Sequence, residues 1–263
     1  MLERLRRLRA ESMPSSAEVV REACARLGYS AANVALDDAR QSFDARLRKL
    51  FEETLVVLED YEQKIDAGLI LPELVSGHRP DIEAEYRQLQ RADNGPDAFQ
   101  EAVTRLLRGW HTILRGLFLS VSQSRKQRGG KDFEYQIRTL LELAGIPYEA
   151  QSRRERADFL LPSSAMLQTE HHKAVLLSVK RTLRERWQQI VRELQDINCP
   201  STYLATAEDT VASSVVEAIA GRNIQVVVWE EVKRVQFPST PMVVGYNQFI
   251  ERVTGFFMPQ WSV

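Results

Sequence analysis

The chain has 263 residues, 44% of them hydrophobic and 27% charged, with a net charge of -1, the composition of a soluble globular protein with a sizeable core. No apolar run approaches the roughly 18 residues of a membrane span, and the basic start "MLERLRRLRAES" has no apolar stretch behind it, so neither a span nor a secretory signal is expected. Two cysteines, Cys24 and Cys199, without CxxC spacing argue against a disulfide framework or a structural zinc and fit a reducing cytoplasm.

In chain order, the first half reads as helices. "SSAEVVREACARLG" begins with cap-capable serines and stops at Gly28. From about Ala31 to Gly68 apolar residues recur at helical spacing, as in Leu47, Leu50, Phe51, Leu55, Leu58 and Tyr61, with Gly68 and Pro72 expected to end the stretch. "RPDIEAEYRQLQRA" reads as a polar helix, "NGP" as a turn, and a further helix starts near Asp97. The basic segment "SQSRKQRGGKD" (122–132) breaks this pattern, and Gly129-Gly130 permits a sharp turn. It is taken as the boundary between a helical region, 1–121, suited to dimerisation or DNA contact, and a second domain, 122–263. After it a helix over about 132–144 leads into apolar runs that read as strands, "PYEAQ", "DFLLP", "AVLLSVKRT", "STYLATA" and "QVVVWEEV". Helices are expected over about 184–197, "VASSVVEAIAGRN" and about 245–257. This alternation predicts an α/β architecture, a helical N-terminal region plus a central mixed β-sheet flanked by helices.

Charge is unevenly spread. Residues 1–121 carry 17 Lys/Arg against 20 Asp/Glu, residues 122–200 carry 14 against 10, and residues 201–263 carry 4 against 6. The positive excess falls on the segment richest in candidate chemistry, a modest footprint for a polyanion. Asp158 opens the run "FLLP", and Lys180 closes "AVLLSV", sharing a strand face with Ser178. If the two strands pair, Asp158 and Lys180 meet at one sheet edge. Glu193 lies beside the apolar stripe Trp187, Ile190, Val191 and Leu194 of the next helix, and Glu134 is on the earlier helix next to Phe133, with Arg138 four residues on. Two or three carboxylates and a lysine form the minimal kit for phosphodiester hydrolysis. Mg²⁺ prefers carboxylate oxygens and water as ligands, and a lysine can orient the attacking water or stabilise the pentacovalent state. Taken singly, each of these residues also reads as ordinary surface charge.

The arrangement resembles the type II restriction endonucleases of the PD-(D/E)XK superfamily, and within it the branch that cuts sites built on CC/GG steps, including EcoRII-like catalytic domains. The usual acid two residues before the lysine is here Ser178. The branch shares that departure and carries its carboxylate thirteen residues past the lysine, where this chain has Glu193. The branch also has a glutamate after a basic, Gly-containing segment, as in "SRKQRGGKDFE" ending at Glu134. The expected "PD" is here Ala157-Asp158. The resemblance covers roughly residues 122–200 and implies a restriction-endonuclease-like core. It implies Asp158 and Glu193 as Mg²⁺ ligands, Lys180 as the group assisting the attacking water, and Glu134 as a supporting acid.

Arg184-Glu185-Arg186 lies four residues past the lysine. An arginine fork matches guanine O6 and N7, and a glutamate accepts from cytosine N4, so the tripeptide offers groups for reading G·C pairs. By itself it also reads as a mutually neutralising charge run at a helix start. The branch reads its bases with a similar element at this spacing. Arg125, Lys126, Arg128 and Lys131 are candidates for backbone phosphates, with a solvated linker as the other reading. His171-His172 reads as surface, and Trp110 and Trp187 as core. The expected function is that of a Mg²⁺-dependent endonuclease acting on double-stranded DNA, on a palindrome with a CCGG core or CC-N-GG, leaving 5′-phosphates. A homodimer or higher homo-oligomer in a prokaryotic cytoplasm, with no membrane partner, is expected with it. The alternatives are a non-cleaving DNA-binding or regulatory protein on the same fold, or a repair-type nuclease of the superfamily.

Overall fold

The computed structural model describes residues 1–34, 36–91, 95–150, 157–183, 187–197 and 199–261. Helical periodicity in the first half becomes α1 (Leu2–Ser12), α2 (Ser16–Arg26), α3 (Leu36–Ile65), α4 (Leu71–Gly77), α5 (Arg79–Arg91) and α6 (Pro96–Leu143). Gly28 closes α2 at φ 67°, a left-handed conformation that glycine adopts without a Cβ penalty. Gly68 and Pro72 do not end α3 as expected. A π turn, Asp66–Ile70, continues it into α4. The turn shifts the hydrogen-bond register, and Pro72 falls in the first turn of α4, where a missing amide proton breaks little of the ladder.

The segment 122–132 is also corrected. It is neither a turn nor a loop but the interior of α6, 48 residues long. Glycine weakens a helix by only about 1 kcal/mol relative to alanine, and a continuous helix with buried Phe133, Ile137, Leu140 and Leu141 outweighs that.

The chain folds into two compact units. The first holds residues 1–15 and 55–128. Its core is Leu5, Ile65, Ile70, Leu74 and Leu117, with half-buried Trp110, Ile113 and Leu114 packed against it. Within it, buried Arg9 pairs with buried Glu62 at 3.0 Å, and Arg125 Nε donates to Glu62 at 2.8 Å. Burial pushes the Glu62 carboxyl up, but bonds from Arg125 and Arg9 and their charges outweigh it and hold the group below its ordinary value.

The second unit holds residues 16–54 and 129–263. Its six-stranded sheet runs β1 (Glu149–Ala150), β2 (Phe159–Leu161), β3 (Val175–Lys180), β4 (Thr202–Thr206), β5 (Ile224–Val228) and β6 (Val243–Gly245), in that spatial order. β1, β2 and β3 pair antiparallel, and β3 through β6 pair parallel. This is the mixed sheet with flanking helices that the strand–helix alternation predicts. β3 and β4 are buried almost throughout, which is why they read as unbroken apolar runs rather than alternating ones. Around the sheet lie α7 (Ser164–Thr169), α8 (Trp187–Gln195), α9 (Ser213–Ala220), α10 (Glu230–Gln236) and α11 (Tyr246–Arg252). The run "QVVVWEEV" is shorter as a strand than expected, because Glu230 opens α10, its backbone N–H donating to Asp44 Oδ1 at 2.9 Å. Phe43, Leu47 and Leu50 of α3 are fully buried, and Phe51, Phe133, Trp229 and Tyr246 form one aromatic cluster. Among the described residues no helix is long and apolar enough to cross a membrane.

Candidate active site

The site grows from the register of two strands. Phe159 of β2 faces Leu177 of β3 in an antiparallel pair, so the next residues outward, Asp158 and Ser178, stand side by side. β1 covers the far side of β2, so the meeting point is the strands' ends rather than a sheet edge. Asp158 is only 4% exposed. Its Oδ2 accepts from Ser178 Oγ at 2.8 Å, from the Val179 N–H at 2.6 Å and from Lys180 Nζ at 2.9 Å. Its Oδ1 accepts from Lys180 Nζ at 3.2 Å. The Lys180 side chain is one-third exposed and lies at the mouth of the site. The buried carboxylate is thus neutralised by an ammonium that still reaches solvent, and Oδ1 is the less engaged oxygen.

Glu134 lies half-buried on α6. Burial raises its carboxyl above the ordinary value and the negative charge of Asp158 raises it further, against the opposing charges of Lys180, Arg138 and Lys131. Arg138 itself binds Glu142 and Tyr148, and Tyr148 packs edge-on against Phe159 at 5.4 Å. The Tyr148 hydroxyl is pushed up to about 12 by burial and by Glu142. Asp158, Lys180 and Glu134 therefore share one electrostatic neighbourhood.

Glu193 is on α8, whose Ile190, Val191 and Leu194 are buried. It is half-exposed and accepts from Gln189 Nε2 at 2.8 Å, and no described hydrogen bond or ion pair joins it to Asp158 or Lys180. Among the described residues no three His, Cys, Asp or Glu side chains gather closely enough to hold a metal ion. Mg²⁺ commonly uses only one or two carboxylates and fills the rest of its shell with water. The partly engaged Oδ1 of Asp158, with the Glu134 carboxyl under its charge, fits such an ion.

Arg184, Glu185 and Arg186 lie outside the described residues. The backbone leading to them is anchored, because Thr206 Oγ1 donates to the Arg181 carbonyl at 3.3 Å and the Leu183 N–H donates to Glu208 Oε2 at 3.1 Å. Arg125, Lys126, Arg128 and Lys131 follow one another along α6. Arg125 is engaged by Glu62, and Arg128 Nη1 donates to the Pro14 carbonyl at 2.7 Å, while Lys126 and Lys131 are exposed. His171 and His172 are exposed on a 3-10 turn. The sequence reading missed Ser178 as a member of the site. Its signal was present, since a small polar residue two positions before a strand-ending lysine faces the same way as that lysine.

A family model described as EcoRII C terminal matches residues 105–250. The chain is 26% identical over 162 residues to the type II restriction enzyme SsoII of Shigella sonnei, covering 57% of this chain and 53% of that protein. It is 27% identical over 147 residues to the type II restriction enzyme EcoRII of Escherichia coli, covering 52% of this chain and 36% of that protein. The chain thus spans about half or less of the length of the curated relatives it matches. Among solved structures, metal-depleted Ecl18kI in complex with uncleaved DNA superposes with a TM-score of 0.82 at 20% identity, over 100% of this chain and 87% of that one. A complex of the restriction endonuclease PspGI with substrate DNA gives a TM-score of 0.59 at 18% identity, over 95% of this chain and 96% of that one. At these identities the likeness is one of fold.

Proposed function

The chain belongs to the EcoRII C-terminal family, and from that membership we propose that it is a type II restriction endonuclease, a metal-dependent, site-specific hydrolase of double-stranded DNA. The observation that carries this reading is the buried Asp158 carboxylate bridged by Lys180 at the ends of β2 and β3. Glu134, its carboxyl raised by burial and by the Asp158 charge, also feels the charge of Lys180, and such a cluster of interacting, perturbed groups is the kind found at functional sites.

In this reading Asp158 and Glu193 hold Mg²⁺, with Glu134 as a supporting acid. The bound ion supplies Lewis-acid neutralisation of the phosphate and makes a water nucleophilic at neutral pH. Lys180 orients the attacking water and stabilises charge developing on the phosphoryl oxygens. Ser178 and the Val179 N–H fix the orientation of the Asp158 carboxylate through Oδ2, which would leave Oδ1 for the ion. Arg184, Glu185 and Arg186 read a palindrome containing CC and GG steps, a CCGG core or CC-N-GG. Lys126 and Lys131 contact backbone phosphates, with Arg125 and Arg128 in support. A two-fold homodimer places one such site on each strand, and hydrolysis leaves 5′-phosphates.

Incubation with plasmid DNA and Mg²⁺, followed by sequencing of the ends, tests this. Discrete fragments with a common terminal sequence and 5′-phosphates are expected, abolished by EDTA. A smear, or intact plasmid beside a specific gel shift, would overturn the assignment in favour of a non-specific nuclease or a non-cleaving binder.

A further inference from the structure

Gly129 sits inside α6, where glycine is among the poorest residues, so its place there asks for a reason. A Cβ built on Gly129 would lie 2.3 Å from Arg181 Nη1 and 3.1 Å from Arg181 Cδ, whereas one on neighbouring Gly130 meets nothing within 4 Å. The close approach therefore belongs to position 129 alone of the pair. The Arg181 guanidinium carbon lies 5.4 Å from the Phe51 ring centroid, within range of a cation–π contact. Phe51 is itself wedged edge-on against Phe133 at 6.2 Å and Trp229 at 6.4 Å. Arg181 thus enters a socket floored by a glycine and walled by an aromatic ring that its own neighbours hold still.

Arg181 directly follows Lys180, and Glu134 lies five residues after Gly129 on the same helix. The Arg181 carbonyl is held from the other side by Thr206 Oγ1. We propose that Arg181, received by Gly129 and Phe51, is a positioning residue that bolts the end of β3 to α6 and so fixes the separation of Lys180 from Glu134. It rests on the nuclease reading for what that separation is used for. Groups displaced by about 1 Å can lose roughly 10²-fold in rate, so a bolt at this point bears directly on chemistry.

Gly129→Ala provides the test. The added methyl displaces the far end of a flexible arginine rather than backbone, and alanine is the better helix former. A glycine that merely fills space predicts unchanged cleavage and an equal or higher melting temperature. The bolt predicts an equal or higher melting temperature with kcat lowered about 10–100-fold and KM little altered. Arg181→Met, which keeps the stem and removes the fork, should show the same kcat loss, and the double variant should lose no more than either single one. Wild-type cleavage by either variant, or losses that multiply, would overturn the proposal. Amide hydrogen exchange over residues 180–183, without DNA or metal, supplies a readout independent of activity. Faster exchange in both variants is expected, and unchanged exchange sinks the bolt. A wild-type protein that cuts no DNA would remove the nuclease reading while leaving this exchange result to decide the bolt.

Discussion

The Lys180 ammonium straddles the Asp158 carboxylate, 2.9 Å from Oδ2 and 3.2 Å from Oδ1, while Ser178 and Val179 grip Oδ2 from the strand side. Three donors on one oxygen and one on the other make the carboxylate asymmetric. A hard cation arriving at Oδ1 competes only with the longer lysine contact. In the proposed nuclease reading the lysine would then be free to serve the substrate phosphate.

Replacing Lys180 with Ala should therefore lower cleavage by at least about 10²–10⁴-fold, the usual range for loss of a positioned proton-handling group. Specific binding should persist in a gel shift with Ca²⁺ in place of Mg²⁺. Cleavage within tenfold of wild type would remove Lys180 from the chemistry.

Ser178 is 1% exposed, and its hydroxyl serves a buried charged acceptor. Ser178→Ala should cost about 1.5–3 kcal/mol of folding stability, the range for hydrogen bonds to ionised groups. Chemical denaturation reads this directly, and an unshifted midpoint would show that the hydroxyl anchors nothing.

Glu62 gives the pH dependence. Its folded pKa lies below the unfolded one because Arg125 and Arg9 outweigh burial. The unfolded state then binds more protons across that window, so stability rises with pH there. The contribution is complete above the ordinary carboxylate pKa of about 4.3 and is lost as pH falls through the depressed folded value. Glu62→Gln leaves buried Arg9 with Asp66 as its remaining carboxylate partner and should cost about 1.5–3 kcal/mol near pH 7, the range for hydrogen bonds to charged groups. The gap between wild type and variant should narrow in acid; urea titrations showing the same gap at about pH 7 and about pH 3 would contradict this.

Arg186→Ala should reduce discrimination at one G·C pair by about 1–3 kcal/mol, read as relative cleavage of substrates with single base-pair changes. The general affinity for DNA should change less than the preference. An unaltered ranking of substrates would end the readout role of this residue.

The meeting of Asp158 and Lys180 in the candidate site was legible because the two residues punctuate apolar runs at their ends, and strand alternation puts Ser178 and Lys180 on one face. The long helices were legible from their 3.6-residue periodicity. Gly129 misled because a glycine pair in a basic stretch reads as a breaker, and the close approach that leaves no room for a Cβ there comes from Arg181, far along the chain. The strand Val243–Gly245 is too short to show any period. The association of residues 16–54 with the sheet rests on bonds such as that of Asp44 with Glu230, 186 residues apart, which no local pattern encodes. Where Glu193 points depends on the rotation of α8, which its apolar stripe constrains only to within a residue or so.

The strand order of the sheet is the order of the chain. During synthesis each new strand therefore has its preceding sheet partner already made, and the Asp158–Lys180 contact spans only 22 residues. The helix carrying Asp44 is in the opposite position, since its bonds to Glu230 and Asn247 wait for segments 186 and 203 residues further along. That helix is thus secured only once residues well past the Asp158–Lys180 pair have been made.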